Sequence, residues 1–304
     1  MQEGKIDSHV LCASMNSEFI FTDIVMNTRM ILILALAILS GCGAKTNTSS
    51  AITGNPIASA DELRAHSAQT TRDAVYFVLP DVDDPRMLTD DKTFLEFIQV
   101  QRTVATGFAL VKSGMIFTNE HVIKGGCITQ DPQAIYFRKD PEQGGEVHCL
   151  LVNHDKTKVY RAKVLPEMTD HVNDIAVLKI EGAGENFPTL TIGVCDVGAE
   201  VFTIGSPIGN ANQITYGHVS NLNFSAAPQE GEKKGPPKTM VDMPVLPGNS
   251  GGPLVRAATG EVCGQVDAVF GMSSRFSQTF TSIGFANRPE DLKKVLDKVK
   301  EKYK

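Results

Sequence analysis

Short apolar runs separated by turn residues dominate the sequence from residue 74 onward. Each run is three to seven residues long, rich in Val, Ile and Phe, and bounded by Gly, Asn, Asp or Pro. Runs of this kind are typical of β-strands, and their succession favours an all-β domain. The runs lie at 74–79, 106–111, 115–118, 134–138, 146–152, 160–165, 175–180, 200–204, 253–255, 261–266 and 282–286. They are enough for two six-stranded antiparallel β-barrels, which is the fold that we predict.

Three segments depart from the strand pattern. Residues 225–238 are charged and rich in Pro and Gly, which predicts a long mobile loop, and residues 60–66 have the pattern of one or two helical turns. An amphipathic C-terminal α-helix is predicted after Asn287, which we expect to cap it, with Pro289 in its first turn. Its apolar face is formed by Leu292, Val295, Leu296 and Val299.

The amino-terminal region has the pattern of an exported protein. Residues 30–40 form an apolar run that is too short to span a bilayer comfortably, with Arg29 ahead of it and small residues behind it. The pattern predicts a signal peptide over residues 26–41. Its end resembles the lipobox of bacterial lipoproteins, and the resemblance implies that Cys42 is lipidated and becomes the first residue of the mature chain.

These assignments divide the chain into four parts. We expect residues 1–25 to be a non-native upstream extension, because residues 26–29 already supply the short basic leader of a signal peptide. Residues 42–73 are predicted to be a flexible tether and residues 74–304 the folded domain. Gly43, directly after the lipidated cysteine, resembles the sorting pattern for the periplasmic face of the outer membrane.

Charge and cysteine content exclude some function classes. The formal net charge of −6 and the absence of a Lys/Arg cluster interleaved with aromatic residues argue against nucleic-acid binding. No C-x-x-C spacing suggests a metal or redox site, and we expect no cofactor. Four cysteines remain in the predicted domain, Cys127, Cys149, Cys195 and Cys263. In an exported chain they permit two disulfides in any of three pairings, with buried free thiols as the alternative for any pair.

The stretch Pro247-Gly-Asn-Ser-Gly-Gly-Pro-Leu254 predicts a nucleophile on a tight turn. Small residues on both sides of Ser250 clear space for a bent backbone and an approaching substrate. The N–H groups of Gly248 and Ser250 are then placed to bind the negative oxygen that develops in acyl transfer, which makes an oxyanion hole. The alternative is a Gly-rich β-turn with an incidental serine.

A serine nucleophile needs a base, and the base needs a group that fixes its tautomer. His121 follows the apolar run 115–118, and Asp174 precedes the run 175–180, so that both are expected at strand ends. The alternatives are a surface histidine and a strand-entry turn residue. Glu120 would raise the pKa of His121 if its carboxylate faced the imidazole.

Four motifs together resemble one protein family. They are Thr106-Gly-Phe, Thr118-Asn-Glu-His-Val, Asn173-Asp-Ile-Ala-Val-Leu and Gly248-Asn-Ser-Gly-Gly-Pro-Leu. Their order resembles that of the chymotrypsin-fold serine proteases, and within them the bacterial Do/HtrA type, over about residues 74 to 300. The resemblance implies that Ser250 is the nucleophile, His121 the general acid and base, and Asp174 the orienting carboxylate. HtrA proteins carry PDZ domains after the protease domain, and we expect none within this sequence, whose last residue is Lys304.

The specificity of such an enzyme depends on the residues around the nucleophile. We expect the primary pocket to be lined by Val245, Leu246, Val266, Asp267 and Ala268. Most of these side chains are apolar and of medium size, which favours cleavage after small or medium aliphatic residues. Asp267 would reverse that preference if it reached into the pocket.

The sequence therefore predicts a lipid-anchored serine endopeptidase of the bacterial cell envelope. Its expected partners are exported or misfolded polypeptide substrates and the membrane that holds its anchor, with homo-oligomers left open. Two alternatives remain. One is a catalytically silent peptide-binding module, and the other is a protease whose oxyanion hole is gated by the 225–238 loop.

Overall fold

The computed structural model of the chain describes residues 59–81, 92, 105–124, 146–184, 186–207, 212–225, 235–273 and 278–303. Two closed six-stranded barrels occupy most of this range, and every strand pair in them is antiparallel. The predicted all-β fold is confirmed. The predicted strand at 134–138 lies outside the described residues.

The first barrel consists of β1 (Val75–Pro80), β2 (Ala105–Val111), β3 (Met115–Thr118), β4 (His148–Asn153), β5 (Val159–Val164) and β6 (Ala176–Ile180). Its strands are bonded in the order β1-β2-β3-β6-β5-β4. The apolar runs of the sequence account for this barrel directly, because nearly every residue of β1, β2, β3 and β6 is buried. A 3₁₀ turn, Pro166–Met168, follows β5.

The second barrel consists of β7 (Glu200–Gly205), β8 (Gln213–Phe224), β9 (Lys238–Val241), β10 (Pro253–Arg256), β11 (Val262–Ser273) and β12 (Gln278–Asn287). Its order is β10-β11-β12-β9-β8-β7. β8 and β9 are not among the strands predicted from the sequence. β8 alternates polar and apolar residues and only two of its twelve residues are buried, so that it has no apolar run. The predicted loop over 225–238 is wrong at Lys238, which begins β9.

Three helices complete the described structure: α1 (Ala60–Asp73), the short turn α2 (Glu120–Val122) and α3 (Pro289–Lys302). The prediction of a tether over 42–73 is wrong for its last part, because α1 buries Ser67, Ala68 and Thr71 against the fold. A reciprocal capping box between Ser59 and Glu62 begins this helix.

The terminal helix α3 confirms the predicted apolar face, since its four apolar residues are buried. Asn287 is not its cap. Arg288 takes that position without a side-chain hydrogen bond, and Pro289 occupies the first turn as predicted. Asn287 instead ends β12, where its side chain is buried among other polar groups.

A single apolar cluster joins the two barrels and fixes the seam between them. Phe108 and Phe117 of the first barrel share it with Phe202 and Ile204 of the second, and α3 covers it with Leu292 and the rest of its apolar face. Because one packed core supports both strand ends at the seam, side chains that emerge there are held by rigid elements.

Three of the four predicted cysteine positions are in disulfides. Cys195 and Cys263 are bonded to each other across 68 residues, which ties the segment before β7 to β11. Cys149 is also disulfide-bonded. Cys127 lies outside the described residues, as do Cys42 and the whole of the predicted signal peptide. Within the described part of the chain, no helix combines the length and apolar character needed to cross a membrane.

Candidate active site

His121 stands at the end of β3, where the chain leaves the first barrel. Every residue of β3 is buried, and Asn119 after it keeps an extended backbone before the turn α2 begins. The turn places His121 at the edge of the core, with 34% of its side chain exposed. A buried strand therefore positions an imidazole that solvent and ligands can reach.

Asp174 lies in a tight loop immediately before β6. Main-chain bonds between Asp170 and Ile175 close the loop, and the carboxylate of Asp170 accepts the N–H groups of Val172 and Asn173. Asp174 has a left-handed φ of 59°, a conformation that aspartate tolerates better than most residues. Asp170 thus organises the turn, and Asp174 is the residue that the turn presents.

Both carboxylate oxygens of Asp174 contact His121. Its Oδ2 lies 2.5 Å from Nδ1 of the imidazole, and its Oδ1 accepts the main-chain N–H of His121 at 2.8 Å. The carbonyl of Asp174 accepts the side-chain amide of Asn119 at 2.9 Å. An ionised carboxylate can only accept, so the proton of the neutral imidazole lies on Nδ1 and Nε2 is left as an acceptor.

The charges of this pair support each other. Burial lowers the pKa of His121, but the hydrogen bond and charge of Asp174 outweigh it, and the pKa is raised above its usual value. Burial raises the pKa of Asp174, but the hydrogen bond and charge of His121 bring it below its usual value. Asp174 is therefore ionised at neutral pH and stabilises an imidazolium when His121 accepts a proton.

The loop that carries Ser250 belongs to the second barrel and rests on the first. Thr106 of β2 donates its hydroxyl to the carbonyl of Gly248 at 2.7 Å and its N–H to the carbonyl of Ser250 at 3.0 Å. Thr118 of β3 donates its hydroxyl to the carbonyl of Thr106 at 2.8 Å. Because Thr118 is three residues before His121, these bonds hold the serine loop against the strand end that carries the imidazole.

Glycine is required in this loop for two reasons. Gly248 and Gly251 have φ values of 107° and 81°, which side chains disfavour. A Cβ on Gly251 would also lie 2.3 Å from both the carbonyl oxygen of Thr106 and the hydroxyl of Thr118. The close approach of the two barrels at this point therefore leaves no room for a side chain.

Alternate N–H groups of the loop are left without a protein acceptor. Among the described residues, the N–H groups of Gly248 and Ser250 donate no hydrogen bond, whereas those of Asn249 and Gly251 donate to main-chain carbonyls. Two N–H groups are thus available to a ligand at the positions where the sequence predicts an oxyanion hole. Asn249 is buried, with 1% exposed.

The hydroxyl of Ser250 and the imidazole of His121 are not joined by a hydrogen bond in the described structure. Their loops nevertheless meet, since a Cβ on Gly251 would lie 3.1 Å from the main-chain nitrogen of Asn119. In proteins without substrate, hydrogen bonds between catalytic groups are often long and tighten only when substrate binds. The structure therefore brings the three predicted residues to one seam and joins two of them.

A second carboxylate, Asp267, lies beside the histidine–aspartate pair. A ring nitrogen of His121 and one carboxylate oxygen from each of Asp174 and Asp267 lie within 4.8 Å of one another. Lys238 places its Nζ 2.7 Å from Oδ2 of Asp267. Burial raises the pKa of Asp267 to about 6, although the charge of Lys238 opposes the shift.

Comparison with known proteins assigns the family. Residues 105–264 match the family described as Trypsin-like peptidase domain, which is more than half of the chain. The chain belongs to the trypsin-like peptidases. The matched range of this peptidase domain contains His121, Asp174 and Ser250.

Relatives of the domain include named serine proteases. The chain is 32% identical over 179 residues to the "Probable periplasmic serine endoprotease DegP-like" of Halomonas elongata, covering 58% of this chain and 31% of the relative. It is 27% identical over 212 residues to "Protease Do-like 1, chloroplastic" of Arabidopsis thaliana, covering 69% and 42%. The chain thus spans less than half the length of these curated relatives.

A solved structure supports the fold. An HtrA-type protease solved with a tripeptide has a TM-score of 0.53 and 21% sequence identity, covering 78% of this chain and 63% of that one. At that identity, the likeness shows that the peptidase domain shares the two-barrel fold.

A buried polar network, which was not predicted from the sequence, lies beneath the site in the peptidase domain. Gln265 of β11 accepts the side-chain amides of Asn119 at 3.4 Å and Asn287 at 3.1 Å. Lys238 donates to Asn287 at 2.5 Å and to the carbonyl of Asn173 at 3.3 Å. Polar residues inside the apolar run of β11 were the signal that could have indicated this network.

Glu120 does not face the imidazole of His121. Its Oε1 lies 2.6 Å from Nδ1 of His171 and 2.6 Å from Nζ of Lys124. Burial raises the pKa of Glu120, but these two partners bring it below its usual value. Within the peptidase domain, the condition under which Glu120 would raise the pKa of His121 is not met.

The residues predicted to line the primary pocket lie in the second barrel. Val245 and Val266 are 3% and 1% exposed and pack in its core, whereas Leu246 and Ala268 are partly exposed. The carboxylate of Asp267 is occupied by Lys238 and lies beside the histidine–aspartate pair. It therefore neutralises a protein cation rather than standing as a free anion.

Proposed function

We propose that the chain is a serine endopeptidase that hydrolyses peptide bonds of exported or misfolded polypeptides in the bacterial cell envelope. The observation that carries the proposal is the double contact of Asp174 with His121 at the seam where the Ser250 loop packs. Membership of the trypsin-like peptidases and similarity to serine endoproteases of the DegP type support it.

In this proposal, the reaction begins when the hydroxyl oxygen of Ser250 attacks the carbonyl carbon of the scissile bond. His121 takes the hydroxyl proton on Nε2, and Asp174 stabilises the resulting imidazolium through Nδ1–H. The electron pair of the carbonyl moves to its oxygen. The N–H groups of Gly248 and Ser250, which have no acceptor among the described residues, donate to that oxyanion.

Collapse of the tetrahedral intermediate breaks the carbon–nitrogen bond. The imidazolium of His121 gives its proton to the leaving amine, so that an acyl group remains on Ser250 and the amine product is neutral. Water then attacks the acyl carbon with the same base, and the proton returned to Ser250 regenerates the hydroxyl. No cofactor takes part in this sequence of steps.

The test of this function is the digestion of an unfolded polypeptide. We expect the unfolded chain to be cut after small or medium aliphatic residues, because the pocket segment is apolar and Asp267 is occupied by Lys238. New peptide termini are identified by mass spectrometry, with the Ser250→Ala protein as the control. Cutting that persists in the control would refute the role of Ser250, and strong preference for Lys or Arg would refute the aliphatic specificity.

We also propose that the protein is anchored in the envelope through lipidated Cys42. The lipobox-like pattern of the sequence supports the anchor, and the printed name of the Halomonas relative places that protein in the periplasm. Metabolic labelling of the full chain with an alkyne fatty acid is expected to label the wild type and not the Cys42→Ser variant. Equal labelling of both proteins would contradict the anchor. In this proposal, the tether from Cys42 ends before α1, because α1 buries residues against the fold.

A further inference from the structure

Asp267, the second carboxylate beside the proposed triad, has no role in the catalytic steps proposed above. Asp267 stands on β11 at an irregularity in the pairing of β11 with β12, and its side chain is 13% exposed. Two carboxylates that share a site repel each other, and a buried charge is costly unless it is paired. A side chain in this position is therefore expected to have a compensating partner.

Lys238 is that partner, and its geometry is fixed from three sides. Its Nζ contacts Oδ2 of Asp267 at 2.7 Å, the carbonyl of Asn173 at 3.3 Å and Oδ1 of Asn287 at 2.5 Å. Each of the three ammonium protons thus has one acceptor. Because Asn173 directly precedes Asp174, the same lysine holds both the second carboxylate and the loop of the first.

We propose that Asp267, held by Lys238, is a positioning residue for Asp174 and balances the charge around the imidazole of His121. The proposal rests on the function proposed above. It makes the site a set of four charged groups, in which Asp174 and Asp267 face the imidazole together with one lysine.

The interactions among the four groups depend on whether Asp267 is protonated or ionised. When Asp267 is protonated, its O–H can donate to the carboxylate of Asp174, which supports that residue and lowers its pKa. When Asp267 is ionised, its charge is balanced by Lys238. The pKa of His121 responds to both groups, since Asp267 raises it and Lys238 lowers it. Because the effects of Asp267 and Lys238 oppose each other, Asp174 remains the main influence on the pKa of the imidazole.

This arrangement predicts a charge-specific effect of Asp267→Asn. The variant leaves the positive charge of Lys238 unbalanced near the imidazole, so the pKa of His121 should fall. Activity that requires neutral His121 is lost as pH falls through that pKa. The acidic limb of kcat/KM is therefore expected to move to lower pH, by about 0.5 to 1 unit for one unbalanced charge in partly screened surroundings.

The double variant Asp267→Asn with Lys238→Met is the matched control. It removes both charges, so the net charge near His121 returns to that of the wild type. We expect its acidic limb to return to within about 0.3 unit of the wild-type position. A purely structural role for Asp267 would predict no return, because the double variant loses more contacts than the single one.

The direct measurement is an NMR titration of the His121 imidazole. It is made in the Ser250→Ala background, which prevents self-digestion, and the resonance is assigned with His121→Asn. The expected result is a lowered pKa with Asp267→Asn that is restored by Lys238→Met. Superimposable titrations of the wild type and Asp267→Asn, or a double variant that stays shifted, would overturn the proposal.

The titration separates this proposal from the function it rests on. It requires no turnover, so the expected shift, together with a Ser250-containing protein that hydrolyses no peptide, would refute the endopeptidase and leave the charge balance standing. Should Asp267→Asn fail to fold, the side-chain carbon of Asp267 is titrated by NMR with that residue unchanged. A pKa above the usual aspartate value, with a matching inflection in the His121 titration, supports the proposal, and its absence overturns it.

Discussion

Alanine in place of Ser250 is expected to lower kcat for peptide hydrolysis by about 10⁶-fold, and alanine in place of His121 by a similar factor. The reason is that the hydroxyl attacks only when the imidazole removes its proton, so that either loss disables the same step. Asparagine at Asp174 is expected to cost about 10⁴-fold, because it can present its NH₂ to Nδ1 and favour the wrong imidazole tautomer. Initial rates on a fluorogenic peptide of the preferred sequence measure all three.

The double variant Ser250→Ala with His121→Ala sharpens this prediction. When two residues act in the same step, removing the second after the first causes little further loss. The double variant should therefore be about as slow as either single variant. If the two residues contributed independently, the fold-losses in kcat of the two single variants would multiply in the double variant. That result would show that His121 and Ser250 work separately, even if each single variant were slow.

Alanine in place of Gly251 is expected to disturb the site without touching any proposed triad residue. The new Cβ would lie 2.3 Å from the carbonyl of Thr106 and the hydroxyl of Thr118, so the serine loop must move. Moving the adjacent N–H of Ser250 by a fraction of an ångström is equivalent to losing one oxyanion donor, which costs about 10² to 10³ in kcat. Kinetics and thermal unfolding measure the two effects.

Gly182→Ala is the matched control for this variant. Gly182 has a φ of 68°, close to that of Gly251, but a Cβ there would have no atom within 4 Å. It should therefore lose only the backbone cost of about 1 to 2 kcal/mol in unfolding free energy and keep its kcat. If both variants lost activity equally, backbone strain rather than the contact between barrels would explain the effect.

The fold could be predicted from the sequence where strands are buried on both faces. β1, β2 and β3 are continuous apolar runs and were located within one or two residues. β8 was missed because an exposed strand has little apolar signal. Helix α1 was underestimated because it buries small and polar residues, whose contact with the barrels is a property of the tertiary structure.

The sequence indicates three candidate site residues, but it does not indicate the residues that support them. His121, Asp174 and Ser250 each stand in a local pattern that the sequence displays. Lys238 and Asp267 are 29 residues apart, and their contact depends on how β9 and β11 are placed in the closed barrel. No local pattern encodes such a pair, and this is why Asp267 was assigned to the substrate pocket alone.

The central claim is that His121, Asp174 and Ser250 form one proton-transfer unit that makes the hydroxyl of Ser250 a nucleophile. A fluorophosphonate probe, whose phosphorus is attacked by an activated serine with loss of fluoride, tests it most directly. We expect peptide mapping to place the adduct on Ser250 and His121→Ala to slow labelling by at least about 10³-fold. An adduct on another serine, or equal labelling rates with and without His121, would contradict it.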